Sequence, residues 1–192
     1  MTVDVLPPSL AEIVETFSAA PPRDRLELLL EYSQSLPPLA ERYADHPERL
    51  EPVPECQSPL FVAAEVDPEQ RVQLFFDAPA ESPTTRGFAG IFHAGLNGLP
   101  AEQVLSVPAD VTARLSLADV VSPLRLRGAV ALLSRVQRQV RERSQMLRSR
   151  PRPVAEANRR PVRCTKSVAT DELRWGGGAS NPSVSCSRAE VM

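Results

Sequence analysis

The 49 residues from Ser144 to Met192 contain only seven Leu, Ile, Val or Phe: Leu147, Val154, Val162, Val168, Leu173, Val184 and Val191. That is about 14 per cent, below the roughly 20 per cent at which a charged segment buries enough surface to fold. The same stretch carries Pro151, Pro153, Pro161, Pro182 and the run Gly176-Gly177-Gly178. Any core must therefore be built from the residues before it. The expected organisation is a folded domain over 1–143 and a basic, mostly disordered tail over 144–192.

Charge divides at the same place. Met1 to Arg143 holds 13 basic and 20 acidic residues, a net of −7, whereas Ser144 to Met192 holds 9 basic and 4 acidic, a net of +5. The near-neutral total of −2 over 192 residues describes neither part. An acidic core argues against nucleic acid as the main partner. No run approaches the ~18 apolar residues of a membrane span. The start, Met1-Thr-Val-Asp-Val-Leu-Pro-Pro8, lacks the basic and apolar regions of a secretory signal. Three scattered cysteines make neither a disulfide framework nor a zinc knuckle, so a reducing cytoplasm is expected.

Periodicity changes twice along the core. Ser9 and Glu12 have capping-box spacing, and Leu10, Ile13, Val14 and Phe17 then mark one helical face that Pro21-Pro22 ends. Arg23 to Ser35 predicts a second amphipathic helix with Leu26, Leu29, Leu30 and Ser33 on one side, and Leu39 to Ala44 a further short turn. Pro59–Val66 and Arg71–Asp77 then alternate as short strands joined by Asp67 to Gln70, an antiparallel hairpin. Glu51 to Glu55 is at most an edge strand because Pro52 and Pro54 interrupt it. Ser82-Pro83 and Ser122-Pro123 each combine a cap residue with proline at the first helical position. Gly87 and Gly90 inside the first of these helices point to a closely packed neighbouring backbone. The second is the longest, with the stripe Leu126, Val130, Leu133, Val136 and Val140. Helices, then strands, then helices make an α+β domain.

Little of the usual catalytic vocabulary is present. There is no phosphate loop, Cys-x-x-Cys or His-Glu-x-x-His, and His46 and His93 are too few and too far apart for a metal site. Cys56 stands out by its setting, Pro52-Val-Pro-Glu-Cys-Gln-Ser-Pro59, a polar, proline-rich segment just ahead of a strand. Reactive thiols favour such accessible loops, whereas most free cysteines are buried as small hydrophobes. Glu55 opposes a thiolate, and Arg86 and Arg125 are candidate compensating charges. Cys164 and Cys186 fall in the tail and are bystanders.

Three motifs then come together: Glu55-Cys-Gln-Ser-Pro-Leu-Phe-Val62, Thr85-Arg-Gly-Phe-Ala-Gly90, and Leu117 with Ser122-Pro-Leu-Arg-Leu-Arg-Gly128. From about Leu10 to Val140 the chain resembles the SufE family, sulfur-acceptor partners of cysteine desulfurases. The resemblance implies helices packed on a small curved antiparallel sheet. It implies that Cys56 accepts a persulfide sulfur and stimulates the desulfurase, with Glu81 and Arg125 at positions that recur in family sites and Arg86 in support. It also implies an iron–sulfur cluster scaffold as sulfur recipient and no cofactor on this chain, pyridoxal phosphate staying on the desulfurase. Glu55 stands where many members have glycine, Phe61 where they have tryptophan, and Glu81 where aspartate is usual. The alternatives are a docking module that carries no sulfur, and a stand-alone cysteine hydrolase or peroxidase. The latter lacks an evident general base near Cys56 and a second core cysteine.

Overall fold

The structure is a computed structural model that describes residues 6–149. Cys164 and Cys186, and the expected tail from residue 150 onward, lie outside the described residues.

The N-terminal helices are α1 (Pro8–Ala19), α2 (Pro22–Ser35) and the single turn α3 (Glu41–Ala44). α1 buries Leu10, Ile13 and Phe17, the face its spacing predicts. Its capping box does not form. Pro8, with its fixed φ, starts the helix two residues earlier than an N-cap at Ser9 would, which leaves Ser9 inside the first turn. The Ser9 hydroxyl donates instead to the Gly95 carbonyl at 2.8 Å. On α2 only Leu29 and Ser33 are buried, while Leu26 and Leu30 are 46% and 45% exposed, so the buried face is narrower than its apolar spacing suggests.

The sheet has three antiparallel strands in the order β1 (Glu51–Pro52), β2 (Phe61–Val66) and β3 (Val72–Asp77). Val62 pairs with Phe76 and Ala64 with Leu74. Strict alternation puts Val72, Leu74 and Phe76 into the core. On the other face Ala63 is buried in a smaller cluster with Tyr43 and Leu50, where the Tyr43 and Phe75 rings lie 4.9 Å apart. β1 is only two residues long, so β2 loses its strand partner early. Gln139 fills the gap: its Oε1 accepts from the Ala64 N–H at 2.7 Å and its Nε2 donates to the Val62 carbonyl at 3.4 Å. A buried side-chain amide there satisfies backbone groups that a longer strand would have paired.

The C-terminal half is α4 (Pro83–Leu96), α5 (Ala101–Ser106), α6 (Val111–Arg114) and α7 (Pro123–Ser149). α4 is the hub, packed by α1 and α2 on one side and by β3 and α7 on the other. Its glycines are obligatory. A β-carbon on Gly87 would stand 2.5 Å from the Leu29 carbonyl oxygen, and one on Gly90 would stand 2.0 Å from that of Tyr32. The backbone of α2 is the close neighbour that those glycines predict.

α7 departs from its expected stripe. Leu133, Val136 and Val140 are buried as predicted, but so are Gly128, Ala129, Leu132 and Gln139, whereas Leu126 and Val130 differ: Leu126 is only half-buried, and Val130 is likewise half-buried. The helix also continues to Ser149, with Ser144 buried one turn beyond Val140, so its last six residues fall within the segment assigned to the tail. The low apolar count over 49 residues averages this end of the helix with the sequence beyond Ser149.

Candidate functional site

Cys56 sits at the tip of the hairpin that joins β1 to β2. Val53 donates to the Leu60 carbonyl at 2.8 Å and closes its base, and the Cys56 N–H donates to the Val53 carbonyl at 3.0 Å. Val53-Pro-Glu-Cys56 is therefore a tight turn with proline at its second position, where the fixed φ suits it. The expected proline-rich loop is thus an ordered hairpin.

The thiol points inward. Cys56 is half-buried in a small pocket with Gln57 and Leu60 from its own hairpin, Thr85 and Phe88 from α4, and Arg125, Gly128, Ala129 and Leu132 from α7. Its volume is about 10 Å3, room for roughly one water-sized sphere. Gly128 makes the close approach possible: a β-carbon there would lie 2.9 Å from Cys56 Sγ and 3.4 Å from both Cys56 Cα and the Glu55 carbonyl oxygen. Burial pushes the thiol pKa up, the Glu55 carboxylate raises it further, and Arg135 works against both. The resting group is the neutral thiol.

A second cleft of about 240 Å3 adjoins the pocket and is lined by Ser58, Glu81, Ser82, Pro83, Thr84, Thr85 and Arg125. Thr85 and Arg125 border both spaces. Of the residues singled out in the sequence, Cys56 and Arg125 therefore line one pocket, and Glu81 shares the adjoining cleft with Arg125. Arg86 is directed elsewhere. Its guanidinium donates to the carbonyls of Ser33 at 2.8 Å, Ala78 at 2.8 Å and Leu36 at 3.2 Å, and it is absent from the thiol pocket. Position two residues before Phe88 turns Arg86 toward α2 and the end of β3, so it holds the frame and leaves the thiolate to other charges.

The residues under the hairpin are not among those the sequence singles out. Arg135 binds both Glu55 and Glu51, Arg138 also pairs with Glu51, and Gln139 Nε2 donates to Glu51 Oε2 at 2.9 Å. Arg135 holds the Glu55 carboxyl below the usual carboxylate range, chiefly through their hydrogen bond. The available signal was the pairing of two acids four residues apart before the strand with two arginines three apart on one helix.

The histidines stay outside this site. His46 is exposed and faces Glu48 at 3.0 Å. His93 borders a separate cavity of about 340 Å3 beside β3 that shares no residue with the thiol pocket, and burial lowers its pKa. Among the described residues no group of three potential metal ligands converges, and no helix is long and apolar enough to cross a membrane.

A family model described as SufE: Fe-S metabolism associated domain matches residues 11–140. The chain belongs to the SufE family. Uncharacterised SufE-like proteins of two Mycobacterium tuberculosis strains are each 50% identical over 137 residues, covering 71% of this chain and 94% of theirs. SufE-like protein 1 of Arabidopsis thaliana, designated chloroplastic/mitochondrial, is 31% identical over 137 residues, which cover 71% of this chain and 36% of that protein. The solution structure of a hypothetical protein from Thermus thermophilus superposes with a TM-score of 0.66 at 40% identity, covering 73% of this chain and 99% of that one. The SufE span of this chain contains Cys56, Glu81 and Arg125, the hairpin and the part of α7 that holds it.

Proposed function

We propose that this SufE-family protein accepts sulfane sulfur on Cys56 from the persulfide of a cysteine desulfurase, stimulates that enzyme, and passes the sulfur to an iron–sulfur cluster assembly scaffold. The carrying observation is the seat of the thiol, at a hairpin tip over a one-atom-sized pocket between α4 and α7. The Cys56 thiolate attacks the outer sulfur of the donor persulfide. A new S–S bond forms on Cys56, the donor S–S bond breaks, and the donor thiolate leaves with the electron pair. No oxidant or reductant is consumed. The proton released when Cys56 ionises balances the one the departing thiolate takes up.

The neutral resting thiol resists oxidation, because the thiolate is the reactive form. Arg125, shared between pocket and cleft, supplies positive charge to the thiolate when it forms, and Glu81 orients that guanidinium or the incoming segment. The pocket then shelters the added sulfur during transfer. Cofactor chemistry stays with the pyridoxal phosphate of the desulfurase, so the protein acts as a carrier in the cytoplasm rather than as a stand-alone enzyme.

One observation favours a second reading. A half-buried thiol with a raised pKa also describes an inert structural cysteine on a docking module. Cys56→Ser separates the two. The carrier reading expects an unchanged fold by circular dichroism and loss of desulfurase stimulation. Full stimulation by the mutant would leave only the docking module.

A further inference from the structure

Glu55 is held more firmly than an exposed carboxylate needs to be. Arg135 Nη1 lies 2.9 Å from Glu55 Oε2, and Nη2 donates to Oε1 at 3.0 Å, so both oxygens are engaged. The Nε of the same guanidinium stands 3.2 Å from Glu51 Oε1 on β1. Glu51 is fixed independently by Arg138 and Gln139. Arg135 thus staples the tip of the hairpin to its base and both to α7. The residue after Glu55 is Cys56, whose Cα and Sγ occupy the space that a β-carbon on Gly128 would need. Whatever holds Glu55 down also holds the thiol in its pocket.

We propose that the Glu55–Arg135 ion pair is a latch that keeps the Cys56 hairpin closed on α7, so that opening of this pair sets how fast a sulfur donor or other electrophile reaches the thiol. It deepens the carrier reading by naming the step that docking must accomplish: a partner that takes either charge for itself frees the hairpin. Two features make the pair releasable. The Glu55 side chain is 45% exposed, within reach of a partner and of salt. Arg135 keeps Glu51 as a second carboxylate when Glu55 leaves, so the opened state is not left with an unpaired buried charge.

A latch differs measurably from a charge that merely tunes the thiol. The charged groups around Cys56 are Glu55 on the hairpin and Arg125 and Arg135 on α7; the flanking α4 residues Thr85 and Phe88 are uncharged, and Glu81 lies in the adjoining cleft. Without a latch, removing Glu55 lowers the midpoint of thiol reactivity against pH, removing Arg135 raises it, and the high-pH plateau stays where it was. With a latch, both substitutions raise the plateau, because a fully ionised thiol still has to be uncovered.

The experiment is iodoacetamide alkylation of the full chain over a range of pH, with the Cys56 peptide followed by mass spectrometry so that Cys164 and Cys186 do not contribute. Glu55→Ala and Arg135→Gln are each expected to raise the plateau about three- to tenfold, the size of a bidentate, partly exposed pair. Raising the salt concentration accelerates wild type and leaves Glu55→Ala nearly unchanged. Glu55→Ala keeps the test valid if Arg135→Gln unfolds, since it leaves the contacts of Glu51 in place. A Glu55→Ala plateau within about twofold of wild type, with only the midpoint displaced, overturns the latch. Alkylation needs no desulfurase, so its outcome is independent of whether Cys56 accepts sulfur.

Discussion

Two seams in the molecule use the same device at different strengths. Where α2 crosses α4, Gly87 and Gly90 admit a neighbouring backbone, and Arg86 holds three of its surrounding carbonyls. Where the Cys56 hairpin meets α7, Gly128 admits the thiol, and Arg135 holds two carboxylates. The first seam binds neutral backbone groups that no partner competes for. The second binds charged, partly exposed side chains that salt or a partner can take. A glycine beneath a close approach and an arginine across it therefore make a permanent joint in one place and a releasable one in the other.

The largest effect should come from the permanent seam. Gly90→Ala would put a β-carbon 2.0 Å from the Tyr32 carbonyl oxygen, and backbone has no rotamer by which to yield. A loss of about 3 kcal/mol or more is expected, a fall of roughly 10 °C in Tm for a domain of this size, read by thermal denaturation. An unchanged Tm would mean that the two seams do not differ as described. Arg86→Ala comes next at about 2 kcal/mol, because three carbonyls lose their donor. Arg86→Lys should recover little, since a single ammonium does not reproduce the fork.

Gly128→Ala tests the other seam. The clash there is with Cys56 Sγ at 2.9 Å, on a hairpin that can lift. Relief from helical glycine, about 1 kcal/mol, offsets much of the overpacking, so stability should change by no more than about 1 kcal/mol while Cys56 alkylation accelerates. Slower alkylation would contradict a thiol pressed down by the hairpin.

The smallest effect is on pH. The folded-state thiol pKa is raised, so the folded protein retains its proton where the unfolded chain has lost it. The corresponding stability is complete below the ordinary thiol range of about 8.5 and falls as pH rises through the folded value. Urea denaturation from about pH 8 to about pH 10 should show a downward slope that is shallower in Cys56→Ser. Equal slopes would mean that folding does not raise the Cys56 thiol pKa.

The permanent seam was legible in the sequence, since two glycines within a helical pattern announce a close backbone. So were the buried face of α1, the β2–β3 hairpin and the position of Cys56 before a strand. The releasable seam was not. Gln139 is buried because β1 stops after two residues, and that pairing reaches from residue 64 to residue 139. Nothing next to Arg135 in the sequence marks it out, and only the fold brings Glu51 and Glu55 against it. Ser9 misled for a local reason, because Pro8 took the start of α1 and left the serine to bond with α4. Contacts between side chains so far apart along the chain carry no local period.

The most direct test of the central claim is the mass of the Cys56 peptide after the full chain has been incubated with cysteine and a pyridoxal phosphate-dependent desulfurase, then trapped with iodoacetamide. A sulfur-accepting Cys56 should show one added sulfur atom, about 32 Da, beneath the alkyl group, released by a reductant. A desulfurase that turns over normally in the same mixture while Cys56 carries only the alkyl group would contradict it.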